Sequence, residues 1–149
     1  MVSVKKYDIF EVSFSAVCEG NPFTDVTLTA QFSHGGLAVN VHGFYDGNDT
    51  WRVRFMPQEE GEWSYATSSN FTQLNQQKGN FTCIAADESN HGPVRVNHTY
   101  HFAHADGTRH ISVGTTCYAW VYQPLERQEQ TIGTLKSSPF NKIRMCVFP

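Results

Sequence analysis

Apolar and polar side chains alternate in short runs from residue 7 to about residue 97, and Gly, Pro and Asn separate the runs. Period two is the mark of a strand with one face buried. The run "FEVSF" puts Phe10, Val12 and Phe14 on one face; "DVTLTAQF" does the same with Val26, Leu28, Ala30 and Phe32, leaving Thr27, Thr29 and Gln31 for solvent. "LAVNVHGFYDGNDTWRVRF" holds two more strands, Leu37/Val39/Val41 and Trp51/Val53/Phe55, around a turn at Asp46-Gly47. "GEWSYAT" adds Trp63 and Tyr65, "GNFTCIA" adds Phe81 and Cys83, and "GPVRV" adds Val94 and Val96. Seven short strands with turn residues between them and no helical period predict an all-β domain over residues 1–100. Its expected form is an antiparallel β-sandwich of immunoglobulin-like type.

After residue 100 the pattern changes. "YHFAHADGTRHISVG" predicts a hairpin on Asp106-Gly107, "HISVGTTCYAW" lacks clean alternation, and "EQTIGTLKSS" predicts a short helix with Ile132 and Leu135 on one side. The last run, "NKIRMCVFP", is densely apolar at Ile143, Met145, Val147 and Phe148, with Arg144 alone among them, as in a strand buried on both faces. Strand, helix, strand is a βαβ order. It implies a parallel sheet, which needs further helices and strands over both faces. Residues 101–149 supply none of them, so the sequence is expected to stop inside a larger core.

Composition narrows the function classes. The 149 residues are 40% hydrophobic and 17% charged, an ordinary globular balance. Eleven basic against fourteen acidic side chains give a net charge of −3. No Lys/Arg-rich run occurs, so the electrostatic footprint of a nucleic-acid binder is missing. The N-terminal "MVSVKKYDIFEVSF" has no apolar stretch long enough for a signal peptide or a membrane span, which predicts a cytoplasmic protein with no membrane partner. Cys18, Cys83, Cys117 and Cys146 are widely spaced without a C-x-x-C pair, favouring reduced thiols that pack as small hydrophobes. A secreted, disulfide-stapled interaction domain is the weaker reading of the same four residues. The sequons at Asn48, Asn70, Asn80 and Asn97 would matter only in a secretory pathway.

Five longer motifs bring a resemblance. "GNPFTDV" at 20–26, "GFYDGNDTWRVRFMPQEEGEWSYAT" at 43–67, "GPVRV" at 92–96, "HFAHADGTRHISVGTTCYAW" at 101–120 and "SPFNKIRMCVFP" at 138–149 resemble bacterial glycoside hydrolases. In that family an N-terminal immunoglobulin-like domain of unknown function precedes a (β/α)8 barrel related to the clan A glycosidases. The resemblance implies that residues 101–149 begin such a TIM barrel, with strand one in "HISVGTTCYAW" and strand two in "NKIRMCVFP". A barrel takes about 250 residues, so it is incomplete here. The implied parent cleaves O-glycosidic bonds of oligo- or polysaccharides, plant-type ones among them, and carbohydrate is the partner it implies.

Retaining glycosidases use two carboxylates about 5 Å apart, one as acid and one as nucleophile. In clan A barrels these lie on strands four and seven, which this sequence does not reach, so no catalytic residue is assigned and no cofactor or metal is expected. What the resemblance carries over is Arg144, matching the strand-two arginine that hydrogen-bonds near the nucleophile and keeps it ionised. Tyr118 and Trp120, just beyond strand one, are candidates for lining a sugar subsite. The bland alternatives are an arginine on an uncovered strand and aromatic side chains packed in a core.

Other constellations invite chemistry. Glu59, Glu60 and Glu62 in "QEEGEW" read as a solvated turn, since nothing near them in sequence would desolvate a carboxyl. His98, His101 and His104 recur at three in a strand, so successive rings point to opposite faces and metal binding is disfavoured. Trp51, Trp63, Tyr65, Phe44 and Tyr45 form either the core or an exposed sugar platform, and alternation favours the core. The platform would make the chain a stand-alone carbohydrate-binding or adhesion module, the competing function. Uncovered barrel strands would also drive homo-oligomer formation through residues such as Ile111, Val113 and Ile143.

Overall fold

The structure, a computed structural model, describes residues 2–147 and divides into two compact units, residues 1–93 with 104–107 and residues 94–103 with 108–149. Phe148 therefore lies outside the described residues. In the first unit the strands are β1 Ser3–Lys5, β2 Phe10–Ser15, β3 Leu28–His34, β4 Leu37–His42, β5 Phe44–Tyr45, β6 Thr50–Phe55, β7 Gly61–Ser69 and β8 Lys78–Ile84. One sheet runs β1-β8-β7-β3-β4 and the other β2-β6-β5. Only the β1/β8 pair is parallel among these; Val4 faces Cys83 across it.

The alternating residues explain why two sheets form a sandwich. Phe10, Trp51, Val53 and Phe55 from the smaller sheet meet Leu28, Ala30, Phe32, Trp63 and Phe81 from the larger, all buried. Rings stack across the gap: Phe10 on Phe81 with centroids 4.0 Å apart, and Phe32 on Phe55 at 4.2 Å. Full burial of such a side chain is worth roughly 1.5–3 kcal/mol, and each ring pair adds about 0.5–1.5 kcal/mol. Among the described residues Thr67 is the one buried polar side chain. Its hydroxyl donates to Leu74 O at 2.6 Å and accepts from Gln77 N at 2.9 Å, so burying it leaves nothing unpaired.

The chain changes sheet at Gly43, between β4 and β5. A Cβ there would stand 2.5 Å from Leu28 Cδ2 and 2.9 Å from Arg52 O, so only glycine permits the crossing. The expected turn at Asp46-Gly47 is present. Asp46 N donates to Thr50 O at 2.8 Å, and Gly47, Asn48 and Asp49 all take positive φ to close it. Val26 precedes β3, which begins at Leu28, although its side chain still packs against the core.

The second unit is built on two small sheets. Strands β9 Val94–Asn97, β10 His101–His104 and β11 Arg109–His110 lie in the order β11-β10-β9, with Phe102 opposite His110 in the hairpin expected at Asp106-Gly107. "GPVRV" thus joins this sheet and neither sheet of the sandwich, and Val94 and Val96 are exposed. Next come β12 Gly114–Thr116, helix α1 Leu125–Lys136 and β13 Lys142–Arg144. β12 and β13 pair in parallel, Gly114 with Lys142, Thr115 with Ile143 and Thr116 with Arg144. This is the βαβ order read from the sequence. Helix α1 starts one turn earlier than "EQTIGTLKSS" predicts, because Pro124 O accepts from Arg127 N and Gln128 N at 2.9 and 3.1 Å. Glu126 in its first turn and Lys136 in its last suit the helix dipole.

Candidate functional site

Parallel strands leave their functional side chains at their carboxyl ends, where the loops begin. Beyond β12 and β13 the pairing continues for two more residues: Cys117 N donates to Arg144 O and Cys146 N to Tyr118 O, both at 2.9 Å. That register sets Tyr118 and Arg144 side by side at the carboxyl end. The Arg144 guanidinium lies 5.3 Å from the centre of the Tyr118 ring, within cation–π range. Among the described residues the guanidinium has no ion-pair partner. Tyr118 is exposed, so the pair presents a cation and an aromatic face to solvent.

Trp120 does not join them. It opens a 3₁₀ turn, Trp120–Tyr122, and its indole Nε1 donates to Gln128 O in α1 at 3.2 Å. The ring is half-buried against the helix start. Three other residues hold this end or its base, and sequence reasoning passed over all of them. Tyr122 Oη donates to Val147 O at 2.6 Å, and Gln128 Nε2 donates to Gln123 O at 2.7 Å. Asn141 clamps the amino ends of the strands, with Nδ2 donating to Ile111 O and Oδ1 accepting from Val113 N at 2.8 and 2.9 Å. Pro124 ahead of the helix-forming "LERQ" was the available signal for the early helix start.

The faces of this βαβ piece are open. A cavity of about 330 Å³ is bordered by Thr115, Cys117, Thr131 and Leu135, and one of about 360 Å³ by Trp120, Leu125, Ile132 and Gly133, so both sides of α1 are uncovered. Helix α1 has no buried residue. Ile111 and Leu125 are 60% and 69% exposed.

The remaining constellations resolve in the first unit and in the hairpin. Glu59, Glu60 and Glu62 are exposed; Glu62 accepts from the Thr82 hydroxyl, and Glu60 faces Lys6 at 4.0 Å. They do not form a paired site. Among the described residues no three His, Cys, Asp or Glu side chains converge as metal ligands. His98 sits in a turn with φ 48°, whereas His104 Nδ1 is 2.9 Å from Gly92 O. Trp51 and Trp63 are 2% and 1% exposed and belong to the core, which removes both indoles from the sugar platform. Phe44 is exposed but lies under the Arg54 guanidinium at 5.0 Å, and Tyr45 leans on Trp51. Among the described residues none of the four cysteines forms a disulfide; Cys83 is buried and Cys146 exposed. No helix among the described residues is long and apolar enough to cross a membrane.

Residues 3–70 match the family model described as a domain of unknown function, DUF5060. No curated protein matches the chain. Among solved structures, a putative glycoside hydrolase from Bacteroides vulgatus ATCC 8482 is 48% identical to it, with a TM-score of 0.94. The match covers 100% of this chain and 29% of that one, so the chain spans under a third of the length of its structural relative.

Proposed function

We propose that this chain is the non-catalytic accessory part of a glycoside hydrolase: an immunoglobulin-like sandwich over residues 1–100, then the first βαβ segment of a (β/α)8 barrel over 101–149. The observation that carries the reading is the 48% identity, across the whole chain, to part of a protein more than three times as long. The parallel β12/β13 pair with α1 between them supports the barrel assignment, because such a pair needs covered faces and α1 has cavities on both sides. The parent enzyme hydrolyses O-glycosidic bonds of an oligo- or polysaccharide. Its acid and nucleophile come from strands beyond this chain.

Within the parent, Arg144 is a positioning residue. From the carboxyl end of β13 its guanidinium keeps the nucleophilic carboxylate ionised, and Tyr118, already in contact with it, borders the sugar subsite. Trp120 contributes by fixing the loop to α1 through Gln128. The uncovered faces of α1 and β12 are filled in the parent by the rest of the barrel.

Replacing Arg144 by Gln in the full-length gene product tests the assignment. An arginine beside a carboxylate lowers its pKa by roughly 1–3 units, so the acidic limb of the kcat/KM profile should move up in pH by about that much. An unmoved acidic limb contradicts the role, whatever happens to stability.

A further inference from the structure

The two edges of the five-stranded sheet are built differently. At one edge β1 is three residues long and includes Lys5, whose ammonium pairs with Asp87 at 2.7 Å. Short length and lysine are devices that stop a sheet edge from recruiting another strand. At the other edge β4, Leu37–His42, is twice as long and has no Lys, Arg, Asp, Glu or Pro. Its register with β3 is unbroken from Leu37 to His42, with no bulge to twist the edge away.

The ladder fixes which backbone groups face outward. Gly43 N donates to Leu28 O at 2.8 Å, so the Leu28/Gly43 position is a hydrogen-bonded one. Antiparallel positions alternate, which turns the N–H and C=O of Leu37, Val39 and Val41 towards β3 and those of Ala38, Asn40 and His42 towards the open edge. Beside that edge an apolar hollow of about 270 Å³ is lined by Leu37, Val39, Phe55, Met56 and Trp63, with Gln58 and Glu59 at its rim. Leu37 is 43% exposed there.

We propose that β4 is a self-association edge, on which a second copy of this chain pairs β4 with β4 antiparallel about a two-fold axis at Asn40. Three features select a second copy over a foreign strand. The strand has no fixed charge with which to choose an acidic or basic partner, and none to repel its own copy. The axis at Asn40 sets Ala38 against the other copy's His42 and satisfies all three outward residues at once. It also sets Val39 against the other copy's Val41 on the inner face, extending the apolar lining of the hollow. The result is one continuous sheet through both copies, an isologous contact that closes on itself.

Asn40→Pro removes one outward N–H and leaves the β3 ladder intact, since edge strands tolerate proline where the N–H faces away from the sheet. Asn40→Thr keeps that N–H and is the control. Light scattering on the 149-residue chain should give twice 16.8 kDa for the natural sequence and for Asn40→Thr, falling twofold in Asn40→Pro. Should Asn40→Pro fail to fold, amide exchange on the unsubstituted protein decides. The Ala38, Asn40 and His42 amides should slow several-fold from dilute to concentrated solution while solvent-facing loop amides do not change. A monomeric natural chain, a mass that Asn40→Pro leaves unchanged, or concentration-independent exchange at those three amides would overturn the proposal. Association through the open faces of α1 survives Asn40→Pro, so the test separates the two surfaces.

Discussion

Glu11 sits on the outer face of β2 between two arginines of β6: Arg54 Nε donates to one carboxylate oxygen at 2.6 Å, and Arg52 Nη1 bonds the other. Hydrogen bonds from Arg54 first and Arg52 second hold its carboxyl below the usual glutamate range. Asp25 is lowered as well, by the Thr24 hydroxyl and the Asn21 backbone N–H that close the loop before β3. A depressed carboxyl contributes its full stability above the unfolded value of about 4 and loses it as pH falls through the lower folded value. Melting temperature should therefore decline more steeply below about pH 4 in the natural chain than in the Glu11→Gln, Asp25→Asn double variant. Parallel curves would show that neither carboxyl is coupled to folding. These pairings were hidden in the sequence because Glu11 meets Arg52 and Arg54 only after β2 and β6 align. The core was open to view: Phe10, Phe32, Val53 and Phe55 fall on strict period-two positions, and all four are buried.

At the scale of elements, β4 and β5 read as parts of one run, "LAVNVHGFY", but belong to opposite sheets. Gly43 makes the transfer, and its lack of a side chain is the requirement. Gly43→Ala forces a methyl into Leu28 and the Arg52 carbonyl, a crowding expected to cost about 1–3 kcal/mol in urea unfolding. A cost within about 0.5 kcal/mol, as for an ordinary surface change, would mean that the crossing relaxes without strain. The run hides this transfer because alternation reports a half-buried face without saying which sheet it belongs to. The same ambiguity placed Val94 and Val96 with the sandwich, although they pair beside β10. Helix α1 was found but begun late, since Leu125–Gln128 offers one apolar residue and a three-sided polar surface. The nearness of Arg144 to Tyr118 depends on the parallel register of β12 and β13, a pairing between residues far apart in sequence.

For the whole molecule the account rests on a division of labour. One unit is a sandwich closed around its own aromatic core, and the other holds a βαβ segment whose helix has no buried residue. A glycosidic bond needs an acid and a second carboxylate held a few ångströms apart in one cleft, whereas Glu59 and Glu60 lie in the exposed loop before β7 and Glu62 is on β7 itself, accepting from the Thr82 hydroxyl. The most direct test is turnover of a panel of aryl glycosides and oligosaccharides by the purified 149-residue chain, side by side with the full-length gene product. The account predicts no hydrolysis above the buffer blank for the chain and clear hydrolysis of at least one substrate by the full-length protein. Turnover by the chain alone, or a gene whose reading frame ends at Pro149, would contradict it.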